Sequence, residues 1–395
     1  MKDAVIIDAL RSPCGRYKKG GLAATRGDEI AIQVVKGLLA RFPSLDPSEV
    51  DDLICGCAFP EGEQGLNLGR VVALGAGLPV RVPGLTVNRF CASGLQTLAD
   101  ATAMIRTGWA TTVIAGGSET MSHVPMVGNV LRPHPDWGAL PNTYVAMGIT
   151  AENVAECYGI SRRDQDAFSW ESHRRAAAAL QAGVFDGQVV PIKAWRYTRT
   201  EKGQRVRERG VMAVDEGVRW PVTLEELGKL APTFKQGGTV TAGNSCQMSD
   251  CAAFSLLMEA ARAEALGLQP LARLSHFAVT GCAPEEMGIG PLLAIPRVLA
   301  MAGLKTADID VFEINEAFAA QIIYCLRQLG LEDRWRAGDV NPHGGAIALG
   351  HPLGATGAKL TSQLLYELQR RRARRGIVSM CVGGGMGAAG LFEMM

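Results

Sequence analysis

The sequence predicts an α/β fold, and three observations carry that expectation. Short apolar strand-like runs alternate with helical segments at both ends of the chain, a pattern that specifies a largely parallel, covered sheet. The texture changes between about 119 and 250, where prolines and charged stretches replace the alternation. The two ends also resemble each other: EVDDLICGCAF (49–59) placed over DIDVFEINEAF (308–318) pairs Asp51 with Asp310, Ala58 with Ala317 and Phe59 with Phe318 at one offset of 259. A duplicated fold with its active site where the halves meet is the physical expectation.

In the first half the runs are AVIIDAL, a helix around Asp28 to Leu39, DLICG, GLTV, a helix after Cys91, and TTVIAGG. The middle opens with Pro125, Pro133, Pro135 and Pro141, which break it into loops. Helical segments follow, the first with Ser161 and Asp164 as an N-terminal capping pair. The basic stretch RYTRTEKGQRVRERG then reads as a solvated hairpin, with a phosphate-facing rim as the alternative. The last part repeats the first: IDVFEIN, helices through Ala317–Leu329 and Lys359–Leu368, and GIVSMCVGG. RRRARR at 370–375 ends a helix, where cations are favoured by the dipole.

Bulk properties narrow the function. A chain of 395 residues that is 47% hydrophobic can bury two or three domains. Forty basic against 39 acidic side chains leave a net charge of +1, which argues against a general nucleic-acid or membrane-surface role. The N-terminus lacks the long uncharged run of a signal peptide, and no stretch is apolar enough to span a bilayer. The ten cysteines show no paired CxxC spacing, so no metal site is expected and most should be reduced, buried thiols of a cytoplasmic protein.

The tail CVGGGMGAAGLFEMM contains the spacing GxGxxG at Gly385, Gly387 and Gly390. Only five residues follow, fewer than the helix that must cradle a pyrophosphate needs, so a bound dinucleotide is not expected. Glycines beside Cys381 instead signal a close approach of backbone to a ligand.

Three segments could do chemistry. In VNRFCASGLQ the strand stops, the chain turns, and a helix starts within a residue or two of Cys91. Unpaired N–H groups and the helix dipole there are expected to lower the thiol pKa and expose a thiolate nucleophile. NPHGGAIALGHPLGATG places His343 and His351 in a glycine-rich loop suited to supply its base. In FEINEAF, Asn315 ends a strand, where it either caps the next helix or faces the ligand crevice.

With these strings the chain resembles the thiolases, and GGSETMSHVPM, MGITAENVA, TVTAGNSCQMSD and MGIGPLLAIP extend the resemblance over nearly its whole length. The resemblance implies a thiolase fold of duplicated halves in a layered α/β/α/β/α arrangement. It divides the chain into an N-terminal domain (1–268), with a loop domain inserted at about 119–250, and a C-terminal domain (269–395). It implies that Cys91 is acylated, His351 activates it, Cys381 moves the α-proton, Asn315 orients an oxyanion-binding water, and the backbone N–H groups of Cys91 and Gly383 hold an oxyanion. Arg219, Phe234, Ala242, Gly243, Cys246, Met147, Met287, Phe318 and His343 fall at positions of substrate or CoA contact. The implied reaction is CoA-dependent cleavage of 3-oxoacyl-CoA and its reversal. Coenzyme A is then a co-substrate, with no permanently bound cofactor and no metal, in a homodimer or homotetramer with its tetramer contact in the loop after Met121.

Departures from the family pattern bear on substrate. Ala146 stands where acetoacetyl-CoA thiolases carry histidine, which points to a longer or different acyl chain. Cys246 replaces a usual serine and weakens one contact to the pantetheine arm, and Cys251 replaces a usual glycine. His343, where relatives have Asn or Ser, tunes its loop or adds a contact near the thioester. The rival readings are an acetoacetyl-CoA thiolase, a β-ketoacyl synthase-like condensing enzyme, which would not need Asn315 with Cys381, and a lipid-binding relative without turnover.

Overall fold

The structure is a computed structural model and describes residues 2–136 and 142–395, so Pro141 lies outside the described residues. The first half runs β1 (Ala4–Arg11), β2 (Gly15–Arg16), α1 (Gly27–Ala40), β3 (Asp52–Gly56), α2 (Leu68–Ala76), β4 (Leu85–Val87), α3 (Ser93–Thr107) and β5 (Thr112–Thr120). Between β5 and the next strand of the large sheet come α4 (Met147–Cys157), α5 (Arg162–Gln181), β6 (Ile192–Arg199), β7 (Arg205–Met212) and α6 (Leu224–Gly228). The first half then closes with β8 (Ser249–Glu259) and α7 (Ala260–Ala265). The second half comprises β9 (Ala272–Gly281), α8 (Gly290–Ala302), β10 (Val311–Ile314), α9 (Ala319–Leu329), α10 (Glu332–Ala337), α11 (Ala346–Leu349), α12 (Thr356–Arg371), β11 (Arg375–Val382) and β12 (Met386–Met394).

Strand order is β10-β11-β12-β9-β1-β8-β5-β3-β4, with β2 beside β8. Read outward from the centre, β1, β8, β5 and β3 are answered by β9, β12, β11 and β10. The two halves meet in a single bridge between Ile6 and Ala272. Helices α3 and α12 pack on one another between the halves, while α1 and α2 cover the first half and α8 and α9 the second. The layered α/β/α/β/α arrangement follows, with a central apolar layer that joins Leu95, Leu98 and Ile105 to Leu360, Leu364 and Leu368.

The sheet is mixed, which corrects the expectation of a largely parallel one. Only β3–β4, β3–β5 and β10–β11 are parallel. The last strand of each half lies antiparallel to its neighbours. For β12 the cause is local: Gly384 and Gly385, at φ 81° and 83°, turn the chain straight back from β11, with no crossover helix to make the pair parallel.

The duplication is real, but its offset changes along the chain. Asp51 and Asp310 do the same task, each using its Oδ2 to accept two consecutive N–H groups of the adjoining segment: Thr111 and Thr112 at 2.6 and 3.0 Å, Arg374 and Arg375 at 2.8 Å each. Beyond them the helices start at Ser93 and Thr356 and the strands at Thr112 and Arg375, an offset of 263. The counterpart of His351 is therefore Asn88, and Cys91 answers Gly354.

Paired glycines let α3 and α12 touch at the centre. A Cβ on Gly94 would meet the Ala358 backbone N at 2.8 Å, and one on Gly357 the Leu95 backbone N at 2.3 Å. Because both obstacles are backbone, Gly357→Ala is expected to cost about 1–3 kcal/mol, seen as a lower denaturant midpoint with unchanged slope. An unshifted midpoint would show that the helices can separate freely.

Other local expectations are met. Ser161 Oγ accepts the Asp164 N–H at 3.1 Å. The basic stretch is the β6–β7 ribbon, in which Arg205 lies over Tyr197 while Arg207 and Arg209 lie over Trp195. Arg370 and Arg371 close α12 on Glu367, and Arg375 pairs with Glu393. Among the described residues no helix is long and apolar enough to cross a membrane.

Candidate active site

Four separate segments converge where the halves meet. The first is the turn between β4 and α3. Phe90 sits at φ 43°, a strained conformation for a large side chain. Its N–H donates to Asn88 Oδ1 at 2.8 Å, and Ser93 Oγ donates to its carbonyl at 2.7 Å while accepting the Arg89 N–H at 2.9 Å. These bonds fix Cys91 just ahead of α3, packed among Ala58, Met121 and Leu353.

The Cys91 sulfur receives the backbone N–H groups of Gly383 and of Cys91 itself, both of which favour a thiolate. Burial outweighs them and pushes the thiol up to about 12. The sequence expectation of a lowered pKa is corrected here, because the helix-end geometry exists but solvent exclusion is the larger effect. Alkylation of free Cys91 by iodoacetamide should accordingly rise about tenfold per pH unit from pH 7 to 9. A flat profile would mean a preformed thiolate.

His351 lies in the second segment, the loop from α11 to α12. Its N–H donates to Gln247 O at 2.8 Å after Gly350 turns the chain at φ 91°. Asn315 Nδ2 donates to His351 Nε2 at 3.4 Å, and His351 Nδ1 lies 2.7 Å from Thr356 Oγ1. That network assigns the ring proton to Nδ1, donating to Thr356, and leaves Nε2 as the basic nitrogen. Burial, then the charge of Lys359, lowers its pKa to about 3, so the imidazole is neutral.

Asn315, in the third segment, follows β10 with its N–H on Ser379 O at 2.9 Å. It does not cap a helix, since α9 begins at Ala319 after Phe318 and has no side-chain cap. Among the described residues its buried Oδ1 has no hydrogen-bond partner.

The fourth segment is the end of β11. Cys381 is fully buried among Met147, Val240, Met287, Ala317 and Phe318. Burial first, then the neighbouring charge of Cys91, holds its thiol well above the ordinary value. A Cβ on Gly383 would lie 3.6 Å from Met147 Sδ and 3.7 Å from the Phe90 ring.

The remaining candidates divide. Cys246 donates its N–H to Ala317 O at 3.0 Å, and Cys91 lies within electrostatic reach of its thiol. Phe234 stands edge-on to Phe318, 6.0 Å between centroids. Ala242 is exposed and Gly243 buried on the turn where the Gly243 N–H donates to Thr241 Oγ1 at 3.1 Å. Arg219 is exposed, its backbone N–H donating to His173 Nδ1 at 3.2 Å. His343 is away from this cluster: its Nε2 is 2.7 Å from Glu367 Oε2, and its ring meets Phe185 edge-on. In place of a contact near the thioester, His343 has a hydrogen-bond partner on α12.

Three residues at the site lie outside the candidates that the sequence offers. Thr356 orients His351, and Lys359, buried on the same helix, donates to Gly350 O at 3.0 Å. Glu119 gathers the N–H groups of Ala58 and Gly354 at 2.7 and 2.9 Å, tying the Cys91 pocket to the His351 loop. An acidic residue inside the apolar run TTVIAGGSET was the available clue. The described residues contain no cluster of three or more His, Cys, Asp or Glu side chains placed to hold a metal ion.

Residues 4–261 match the profile described as thiolase, N-terminal domain, and residues 268–394 the one described as thiolase, C-terminal domain. A protein named 3-ketoacyl-CoA thiolase from Bacillus subtilis (strain 168) is 50% identical over 395 residues, covering 100% of both chains. One of the same name from Citrobacter koseri is 45% identical over 397 residues, 100% of this chain and 99% of the relative. The crystal structure of the Bacillus anthracis acetyl-CoA acetyltransferase superposes with a TM-score of 0.88 at 38% identity, covering 100% of this chain and 99% of that one.

Proposed function

Because the chain belongs to the thiolase family, we propose that it is an acyl-CoA C-acyltransferase that cleaves 3-oxoacyl-CoA with coenzyme A, giving acetyl-CoA and a shortened acyl-CoA, and that it also runs the reverse condensation. The observation that carries the reading is the meeting of Cys91, two N–H groups on its sulfur, a neutral His351 and Cys381 in one buried place.

The residues suggest the following course. His351 Nε2 takes the Cys91 proton as the sulfur attacks the 3-oxo carbon, and the resulting oxyanion faces the N–H groups of Cys91 and Gly383. The bond between the α and β carbons breaks, leaving an acyl group on Cys91 and an acetyl-CoA enolate. His351 and a water held on the unpartnered Oδ1 of Asn315 stabilise the enolate oxygen, while Cys381 protonates its carbon. A second CoA thiol gives its proton to the Cys381 thiolate and attacks the acyl thioester. Cys91 leaves and recovers its own proton from His351. A neutral base suits this cycle, since a fixed imidazolium could not accept the first proton.

Methionine and phenylalanine side chains (Met147, Met287, Phe318, Phe234) around Cys381, with Ala146 in place of a histidine, favour acyl chains longer than acetoacetyl, as in a fatty-acid β-oxidation cycle. The superposition on an acetyl-CoA acetyltransferase supports the shorter-chain reading. A panel of 3-oxoacyl-CoA substrates decides: kcat/KM should peak beyond the four-carbon substrate, and a peak at acetoacetyl-CoA would establish the other.

Exposed Leu66, Val71, Leu74, Val80 and Leu85 beside the edge strand β4 suit a second copy of the chain, so sedimentation should show at least a dimer. Ten free thiols suit the reducing cytoplasm.

A further inference from the structure

Cys14 and Cys251 take no part in the chemistry above, yet they face each other across two strands. β2 and β8 pair Gly15 with Asp250 and Arg16 with Ser249, and one further step in that register sets Cys14 opposite Cys251. The Tyr17 N–H donates to Met248 O at 3.3 Å. Counting back from that bonded rung, the alternation of an antiparallel ladder makes Cys14–Cys251 a non-hydrogen-bonded rung. The Cys14 N–H is accordingly free of the ladder and donates to Asp215 Oδ1 at 2.7 Å. Rungs of this kind bring Cα atoms to about 4.5 Å with both side chains on one face. That separation lies within the span of a disulfide.

The surroundings favour loss of a thiol proton. Arg11 grips Asp215 with two bonds of 2.8 Å, and Lys359 is buried close by. Two buried cations thus stand beside the Asp215 carboxylate, while burial raises the next carboxyl, Glu313, well above its ordinary value. In the resting pair Cys251 donates weakly to Ser12 O at 3.7 Å. Although burial opposes ionisation of Cys251, the thiol of Cys14, then Ser12, Arg11 and Lys359, hold it below its ordinary value. Its partner Cys14 is pushed up, first by that same hydrogen bond and then by burial. Arg11 and Lys359 thus act in the direction of a thiolate at Cys251.

We propose that Cys14 and Cys251 are a second reactive dithiol, separate from Cys91 and Cys381, which a hydroperoxide closes into a disulfide. The Cys251 sulfur attacks one peroxide oxygen, the O–O bond breaks, and a sulfenic acid forms as water or an alcohol leaves. The Cys14 sulfur then attacks that sulfur and a second water departs with the Cys14 proton. Two thiols are oxidised by two electrons, and the peroxide is reduced by the same two. The bond would lie against the turn that carries His351, since a Cβ on Gly350 would meet Cys14 Cβ at 3.7 Å.

The test is to treat the purified enzyme with stoichiometric hydrogen peroxide, alkylate free thiols and map peptides without reduction. A cross-linked Cys14–Cys251 peptide pair, lighter by two hydrogens and released by dithiothreitol, is expected. Cys14→Ser should lose that species while keeping wild-type thermal unfolding. Recovery of both cysteines as alkylated thiols while Cys91 is oxidised would overturn the proposal, as would separate sulfinic acids without a link. The wild-type map decides even if the variant fails to fold.

Discussion

Cys91→Ala is expected to lower CoA-dependent cleavage of 3-oxoacyl-CoA by at least about a thousandfold while leaving the fold intact. The side chain lost is small, and the turn around it is held by Asn88, Ser93 and Phe90 rather than by the sulfur. The loss would therefore report chemistry and not collapse. The measurement is disappearance of the 3-oxoacyl-CoA absorbance, with circular dichroism as a control on folding. An unchanged rate would sink the assignment of the nucleophile. Consumption of substrate by the wild type without CoA would sink the reaction itself, because the acyl group on Cys91 needs a thiol acceptor.

Cys381→Ala separates the two thiols. Acylation of Cys91 should persist, visible as one acyl group added to the intact mass, while turnover falls about 10²–10⁴-fold for want of the group that protonates the enolate. Cys381 is buried and packed against Met287 and Phe318, so a methyl in its place leaves only a small cavity. If acylation disappeared as well, Cys381 would be needed before the first covalent step and the division of labour would be wrong.

How much of this was legible in the sequence depends on range. The strand, turn and helix around Cys91 could be read because each is a local pattern, and the structure has them at β4, Phe90–Ala92 and α3. Ser161 and Asp164 could be read for the same reason. For Asn315 the sequence leaves two readings, and the structure removes the cap: three more residues intervene before α9, and its amide turns to His351. His343 shares a loop with His351, a proximity in sequence that suggests a shared site. Its Glu367 partner lies on a different helix, and only three-dimensional packing reveals it.

The parallel sheet failed for a related reason. Alternating strands and helices predict crossovers, yet the final strand of each half follows a turn or an insertion and pairs antiparallel. The repeat was visible at Asp51 and Asp310, whose shared task is to hold two N–H groups, but four extra residues move the later elements from an offset of 259 to 263.

The sequence by itself determined which chemical groups exist, which of them stand at strand and helix ends, and that the two halves are alike. These depend on backbone conformation and on neighbours a few positions away, which short patterns encode. Tertiary structure alone decided that Cys91, Asn315, His351 and Cys381 share one place, that Thr356 orients the imidazole, and that Cys91 rests as a thiol with that imidazole neutral. Ionisation is set by solvent exclusion and by charges close in space, and at Cys91 burial by the whole fold outweighs the two N–H groups that the local turn provides.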